Sequence, residues 1–180
     1  MDFTIHPVTW HDAEPLLRLV REAVFMREQG VPAELEWDGL DESAHHVLAV
    51  SATGQAIGCG RILPNGHDTV EIHDETSHVH FPHLNPLPQA GEEANESLRE
   101  SKNSAHIGRI AVLPEWRGKK VGTALLQGLI EYAKARHHSE VDIDAQVQAL
   151  PFYRNHDFVE EGEVFMDAGI PHRKMRLKLN

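Results

Sequence analysis

Ile107-Gly108-Arg109-Ile110-Ala111-Val112, then Leu113-Pro114-Glu115-Trp116, then Arg117-Gly118-Lys119-Lys120-Val121-Gly122, then Thr123-Ala124-Leu125-Leu126 reads as a strand, a turn, a glycine-and-cation loop and the start of a helix. Glycines let backbone N–H groups approach an anion, and a helix N-terminus adds the positive end of its dipole. The pattern is not a P-loop, because no Gly-Lys-Ser/Thr stands at the required spacing. Taken alone, residues 117–122 are equally well a solvated basic turn. The strand before and the amphipathic run after favour anion binding. Arg109 is either structural or faces a ligand.

Upstream, residues 3–8 read as a strand. Asp12 is the expected cap of a helix over residues 13–26, where Leu16, Leu17, Val20, Val24 and Phe25 recur at helical spacing. After Gly30-Val31-Pro32 comes an acidic stretch, residues 34–42, read as a loop or a short second helix. Residues 46–50 and 56–63 are two strands joined by a turn at residues 51–55. Residues 64–103, rich in His, Pro, Glu, Asn and Ser, read as an insertion in a single domain spanning 1–180. Val70-Glu71-Ile72-His73 is a candidate extra strand within it. Downstream, a helix is expected over residues 122–136, a strand over 141–145, a short helix over 150–156, and closing strands over 158–166 and 173–179. The order is a β-meander followed by βαβαβ, a mixed sheet with helices on its faces.

Composition narrows the classes. The 180 residues carry a formal net charge of −11, which argues against a dedicated nucleic-acid binder. Hydrophobic residues make up 41% and charged residues 25%, as in an ordinary globular protein. One cysteine, Cys59, forbids an intrachain disulfide and fits a reducing cytoplasm. No apolar run approaches the roughly 20 residues needed to span a bilayer. The expected protein therefore works in the cytoplasm without a membrane or nucleic-acid partner.

The loop from Arg117 to Gly122 resembles the acetyl-CoA signature of the GNAT superfamily of N-acetyltransferases, Arg/Gln-x-x-Gly-x-Gly/Ala, with Lys120 at the usual middle glycine. Ala145-Gln146 followed by Phe152-Tyr153 and Asp157-Phe158 is similar to that family's second cofactor motif, with Gln146 at the usual Asn and Asp157 at the usual Gly. Val24-Phe25-Met26-Arg27-Glu28-Gln29-Gly30-Val31-Pro32, Glu36-Trp37-Asp38 and Asp167-Ala168-Gly169-Ile170-Pro171-His172 look like the ElaA/YjcF-like branch. The resemblance implies an α/β (α+β) fold with a mixed, mostly antiparallel central sheet flanked by helices. It also implies an acetyl group moved from acetyl-CoA to a small-molecule or protein amine.

The same resemblance assigns cofactor contacts to Ile110, Ala111, Val112, Arg117, Gly118, Lys119, Lys120, Val121, Gly122, Thr123 and Gln146. Tyr153 becomes the acid that protonates the departing thiolate. An amine nucleophile must be neutral, so a proton acceptor is needed. Glu28, His172 and Asp41 are the candidates, and histidine titrates near neutrality. With Cys59 on a distant strand, direct transfer is preferred to an acyl-enzyme.

Two other functions stay in view. One is a non-catalytic CoA-binding regulatory module. The other is a metal-binding protein built on His78-Val79-His80-Phe81-Pro82-His83, although His-x-His without supporting ligands is a weak signal and no metal is expected. Residues 45 and 46, both histidine, are read as packing or solvent-exposed. The sequence leaves the oligomeric state open, with a homodimer as one expectation.

Overall fold

The computed structural model describes residues 2–64 and 103–180. The expected strand at 70–73, nearly all of the 64–103 insertion and the His78–His83 run lie outside them.

Strand β1 (Phe3–Val8) enters helix α1 (Trp10–Arg21), which passes directly into a π-helical segment, Glu22–Glu28. The cap is Thr9 rather than Asp12. Thr9 is extended and its hydroxyl accepts the Asp12 amide at 3.2 Å, leaving Asp12 in the first turn, where its charge suits the dipole. Gly30, at φ +72°, ends the helical run. Helix α2 (Ala33–Glu36) follows, confirming the short-helix alternative.

Strands β2 (His45–Ser51), β3 (Ala56–Pro64) and β4 (Ser104–Val112) continue antiparallel from β1. Helix α3 (Val121–Ala135) then crosses to β5 (Glu140–Gln146), and helix α4 (Leu150–Arg154) precedes the hairpin β6 (Val159–Asp167) and β7 (Ile170–Lys178). Among the described residues they make one seven-stranded sheet, ordered β1-β2-β3-β4-β5-β7-β6, in which only β4 and β5 are parallel.

Both faces of the sheet are covered. Leu125, Leu126 and Leu129 of α3 pack on Val47, Ile57, Ile107, Val141 and Met175. Fully burying one such leucine stabilises the fold by roughly 1.5–3 kcal/mol. On the other face Leu17 and Val20 of α1 meet Leu48, Cys59 and Ala111. Helix α3 sits close to β3 because Gly58 has no side chain. A Cβ there would lie 3.0 Å from both the Ala111 carbonyl oxygen and Leu125 Cδ1.

Two irregularities shape the centre. Between the pairs Cys59–Ala111 and Arg61–Gly108, the single residue Gly60 faces both Arg109 and Ile110. This β-bulge puts Arg109 at φ +54° and re-aims the residues beyond it. The second is a parting of strands. β4 pairs with β5 only over Ser104–Glu140, Ala105–Val141 and His106–Asp142, whereas β5 stays paired with β7 as far as Gln146–His172. A wedge-shaped gap opens beyond His106.

Candidate functional site

Past the parting point lies a cavity of about 200 Å³. Phe25, Gln29, Val31 and Leu35 cover it from the helical side. His106, Gly108, Arg109 and Ile110 line it from β4, and Asp144 and Gln146 from β5. Tyr153 of α4, and Ala168, Ile170 and His172 of the closing hairpin, complete the wall. The sequence therefore placed Tyr153, His172, Gln146 and Ile110 on segments that converge on one space.

Tyr153 is 7% exposed and packs edge-on against Phe152 and Phe158. Burial raises its phenol well above the usual value, making it a weaker acid than a solvated tyrosine. His172 is buried, with Nδ1 2.8 Å from the Ile170 carbonyl and its ring near Phe165. The Gln146 amide donates to Gln29 Oε1 at 2.8 Å and its oxygen accepts from Gln148, so this side chain bridges β5 to the end of the π-helical segment.

Glu28 and Asp41 are placed differently from the base roles expected of them. Glu28 does not line the cavity. Both its oxygens accept from Arg117, at 2.7 and 2.6 Å. That hydrogen bonding lowers the Glu28 carboxyl and so makes it a poorer base. Arg117 in turn donates through Nε to the Val112 carbonyl, and its guanidinium is committed to this strap rather than free beside the loop.

Asp41 belongs to a buried ionic network that the sequence did not disclose. Arg21 donates to Asp41 at 2.6 Å and to the Glu36 carbonyl at 2.9 Å, and pairs with the Glu36 carboxylate. Arg61 bonds Asp41 at 2.7 Å and grips Asp38. Arg109 reaches Glu36 Oε2 at 3.1 Å, Asp38 at 3.2 Å and the Leu35 carbonyl at 3.0 Å. Three arginines thus meet three carboxylates. Burial pushes Asp41 up, but Arg21 and Arg61 outweigh it and its carboxyl falls below the ordinary range. Arg109 is structural as well as cavity-lining, since its guanidinium fastens α2 over the bulge that Arg109 itself occupies.

Cys59 is not distant from the gap. It sits on β3 opposite Ala111, the neighbour of Ile110. It is nonetheless inert as a nucleophile, because complete burial pushes its thiol up to about 12. The adjacent histidines pack: His45 stacks on Tyr132 at 3.7 Å, and His46 is buried with Nε2 2.8 Å from the Asp41 carbonyl.

At the far end of β4 the loop residues Gly118 and Lys120 adopt φ +73° and +65°. Such left-handed steps turn successive amides to one side, forming a nest suited to anions. No side chain caps α3, whose first residue, Val121, is core. A Cβ on Gly122 would meet Phe152 and Val112 at an ordinary 3.6 and 3.8 Å, so the protein's own packing does not demand glycine there. Thr123 Oγ1 lies 3.3 Å from His156 Nε2, and Lys119 lies over the Trp116 ring. The left-handed steps and the uncapped start of α3 leave a backbone arrangement that an anion would suit. Among the described residues, no three His, Cys, Asp or Glu side chains gather as metal ligands, and no helix is long and apolar enough to cross a membrane.

Sequence reasoning passed over one pair. His106 and Asp142 form the last rung joining β4 to β5, and their side chains meet at 2.8 Å, Nδ1 to Oδ2. The available signal was polar residues at alternate positions of otherwise buried strands: His106 beside Ala105 and Ile107, and Asp142 and Asp144 beside Val141 and Ile143.

Family models described as "Acetyltransferase (GNAT) domain" match residues 20–127 and 94–179. The chain belongs to the GNAT acetyltransferase family. YjcF of Bacillus subtilis, described as an uncharacterized N-acetyltransferase, is 30% identical over 158 residues, covering 87% of this chain and 86% of YjcF. Protein ElaA of Escherichia coli is 28% identical over 161 residues, covering 87% and 81%. These relatives place the protein in the ElaA/YjcF-like branch. Crystallised E. coli ElaA superposes with a TM-score of 0.69 at 22% identity over 97% of this chain and 98% of that one. An acyl-CoA N-acyltransferase of Pseudomonas aeruginosa gives 0.65 at 24% over 98% and 99%. As a GNAT acetyltransferase the protein is an acyl-transfer protein, with the mixed, mostly antiparallel sheet expected of that family.

Proposed function

We propose that the protein moves an acetyl group from acetyl-CoA to an amine, by direct attack within a ternary complex. The observation that carries this reading is the position of Tyr153, buried in the wall of the cavity that begins where β4 and β5 part. The backbone of Gly118, Lys119, Lys120, Val121, Gly122 and Thr123 holds the diphosphate at the start of α3. The rest of the cofactor runs along Ile110, Ala111 and Val112, whose side toward β5 has no strand partner among the described residues. Amides on that side of β4 hydrogen-bond the carbonyl oxygen as it gains charge.

The amine, a small molecule or a protein amine, enters from the helical cover. As the C–S bond breaks, the sulfur takes the electron pair and Tyr153 gives it a proton. The raised phenol remains competent because a thiolate forming in the same poorly solvated space is raised by the same cause. The buried thiol of Cys59 supports direct transfer over an acyl-enzyme.

The test is release of free thiol from acetyl-CoA with a panel of primary amines, the acetylated product being identified by mass. Calorimetric binding of coenzyme A without turnover of any amine would instead favour a CoA-binding regulatory module. The Gln146 amide, already committed to Gln29, gives that alternative its support.

A further inference from the structure

We infer that His106, oriented by Asp142, is the group that takes the proton from the attacking amine. The inference rests on the acyl-transfer reading above and adds to it the identity of the base.

Position comes first. His106 stands on the last rung before the strands separate, at the apex of the gap, and lines the cavity that Tyr153 also lines. Its neighbours Ala105 and Ile107 point into the core under α3, so alternation turns His106 and Gly108 to the opposite face, beneath Phe25 and Leu35. The ring edge carrying Nε2 lies beside Gly108, itself a lining residue, since a Cβ there would be 3.6 Å from Nε2.

Orientation comes second. Asp142 Oδ2 lies 2.8 Å from Nδ1. Burial pushes the Asp142 carboxyl up, but the His106 hydrogen bond and the nearby charges of Lys174 and Arg176 outweigh it and hold it below the ordinary range. An ionised Asp142 accepts the Nδ1 proton, leaving the Nε2 lone pair toward the amine, and stabilises the imidazolium once Nε2 is protonated.

The other groups facing this space fit the role less well. Glu36 and Arg109 are bound to each other, and Asp144 lies two residues further along β5 with nothing among the described residues bonded to its buried Oδ1 to orient it. Asp167 is exposed at the end of β6, and His172 has a carbonyl rather than a carboxylate behind its Nδ1.

The step balances without a further reactant. A neutral amine nitrogen forms the C–N bond to the thioester carbon, and one N–H proton passes to His106 Nε2. The C–S bond breaks with its electron pair on sulfur, and the Tyr153 proton goes to that sulfur. His106 then loses its proton to water and the Tyr153 oxygen regains one from water. Asp142 acts through His106 as a positioning residue.

The test compares wild-type protein, His106→Gln, Asp142→Asn and His172→Gln, using the amine turned over best by the wild type. Coenzyme A affinity measured by calorimetry checks that each variant is folded. The expected result for His106→Gln is a loss in kcat/KM at neutral pH of roughly 10²–10⁴-fold, with the acidic limb of the pH profile abolished and coenzyme A affinity unchanged. Asp142→Asn should lower kcat more than it raises KM. His172→Gln should keep the limb.

Nitrogen-resolved NMR of the intact protein supplies a second readout. Neutral His106 should carry its proton on Nδ1, and Asp142→Asn should shift the balance toward Nε2. Full turnover with an intact limb in His106→Gln, or a proton on Nε2 in the wild type, overturns the assignment while leaving acyl transfer standing. If the wild type turns over no amine, the acyl-transfer reading fails and this inference falls with it.

Discussion

Tyr153 and Cys59 both lie near the gap, and burial raises both, with opposite consequences for function. A phenol that gives a proton keeps it available when raised, whereas a thiol that must lose its proton to attack is silenced. Tyr153→Phe should therefore lower turnover at neutral pH about 10²-fold or more while acetyl-CoA affinity stays within a few-fold. Steady-state kinetics paired with calorimetry separates the two effects, and unchanged turnover would remove Tyr153 as the acid. Cys59→Ala should leave kcat within a few-fold, and iodoacetamide should not label the native thiol. Loss of activity together with labelling of a covalent acyl-cysteine would restore a two-step mechanism. The role of Tyr153 was suggested by its motif, but its burial was not, because exposure depends on Phe152 and Phe158 closing around it.

Helices and strands were legible in outline. The amphipathic run after the loop located α3 to within a residue, and β1 fell on the expected residues 3–8. The π-helical segment from Glu22 to Glu28 was not legible, because its apolar positions fit the ordinary 3.6-residue period. Nor was the ionic network, because pairings between Arg21, Glu36, Asp41 and Arg61 are far apart in sequence and leave no local pattern. Glu36-Trp37-Asp38 stood in the sequence only as part of an acidic loop or short helix and as a family likeness.

At this scale Arg61→Ala should cost about 3–5 kcal/mol, since it strands buried carboxylates without a counter-charge. Chemical denaturation would measure it, and a loss below 1 kcal/mol would show the network to be solvated. Acid should act through Asp38. Burial alone would raise that carboxyl, but Arg61, the Leu40 amide and Arg109 bring it from 3.8 down to about 2. A depressed carboxyl stabilises the fold fully above the unfolded value, here by about 2 kcal/mol, and the gain is lost as pH falls from 3.8 towards 2. Glu36 works in the reverse sense, because burial raises it against Arg21 and Arg109. Comparing urea midpoints of the wild type and Asp38→Asn should show a gap at pH 6 that narrows at pH 3.

For the molecule as a whole, occupancy of the loop is the quantity to measure. Coenzyme A at about 100 times its Kd should add about 2.7 kcal/mol to stability, raising Tm by roughly 5–10 °C for a chain of this size. Gly122→Ala should fold and bind much as the wild type does, since only ordinary contacts await its methyl group. Gly122→Glu should fold yet lose most of that thermal shift, because bulk and negative charge meet the diphosphate. A full shift in the glutamate variant would count against the loop.

The partial pairing of β4 with β5 has a mechanical side. Three rungs stitch four strands to three, so the sheet resembles a zipper stopped partway, with α3 packed mainly on the four-strand half. Backbone amides on the open margin of β4 should trade hydrogen for deuterium sooner than amides of the same strand turned toward β3. An extended guest lying along that margin would close the zipper, and the protection it confers should spread to β5, a strand on the other side of the opening.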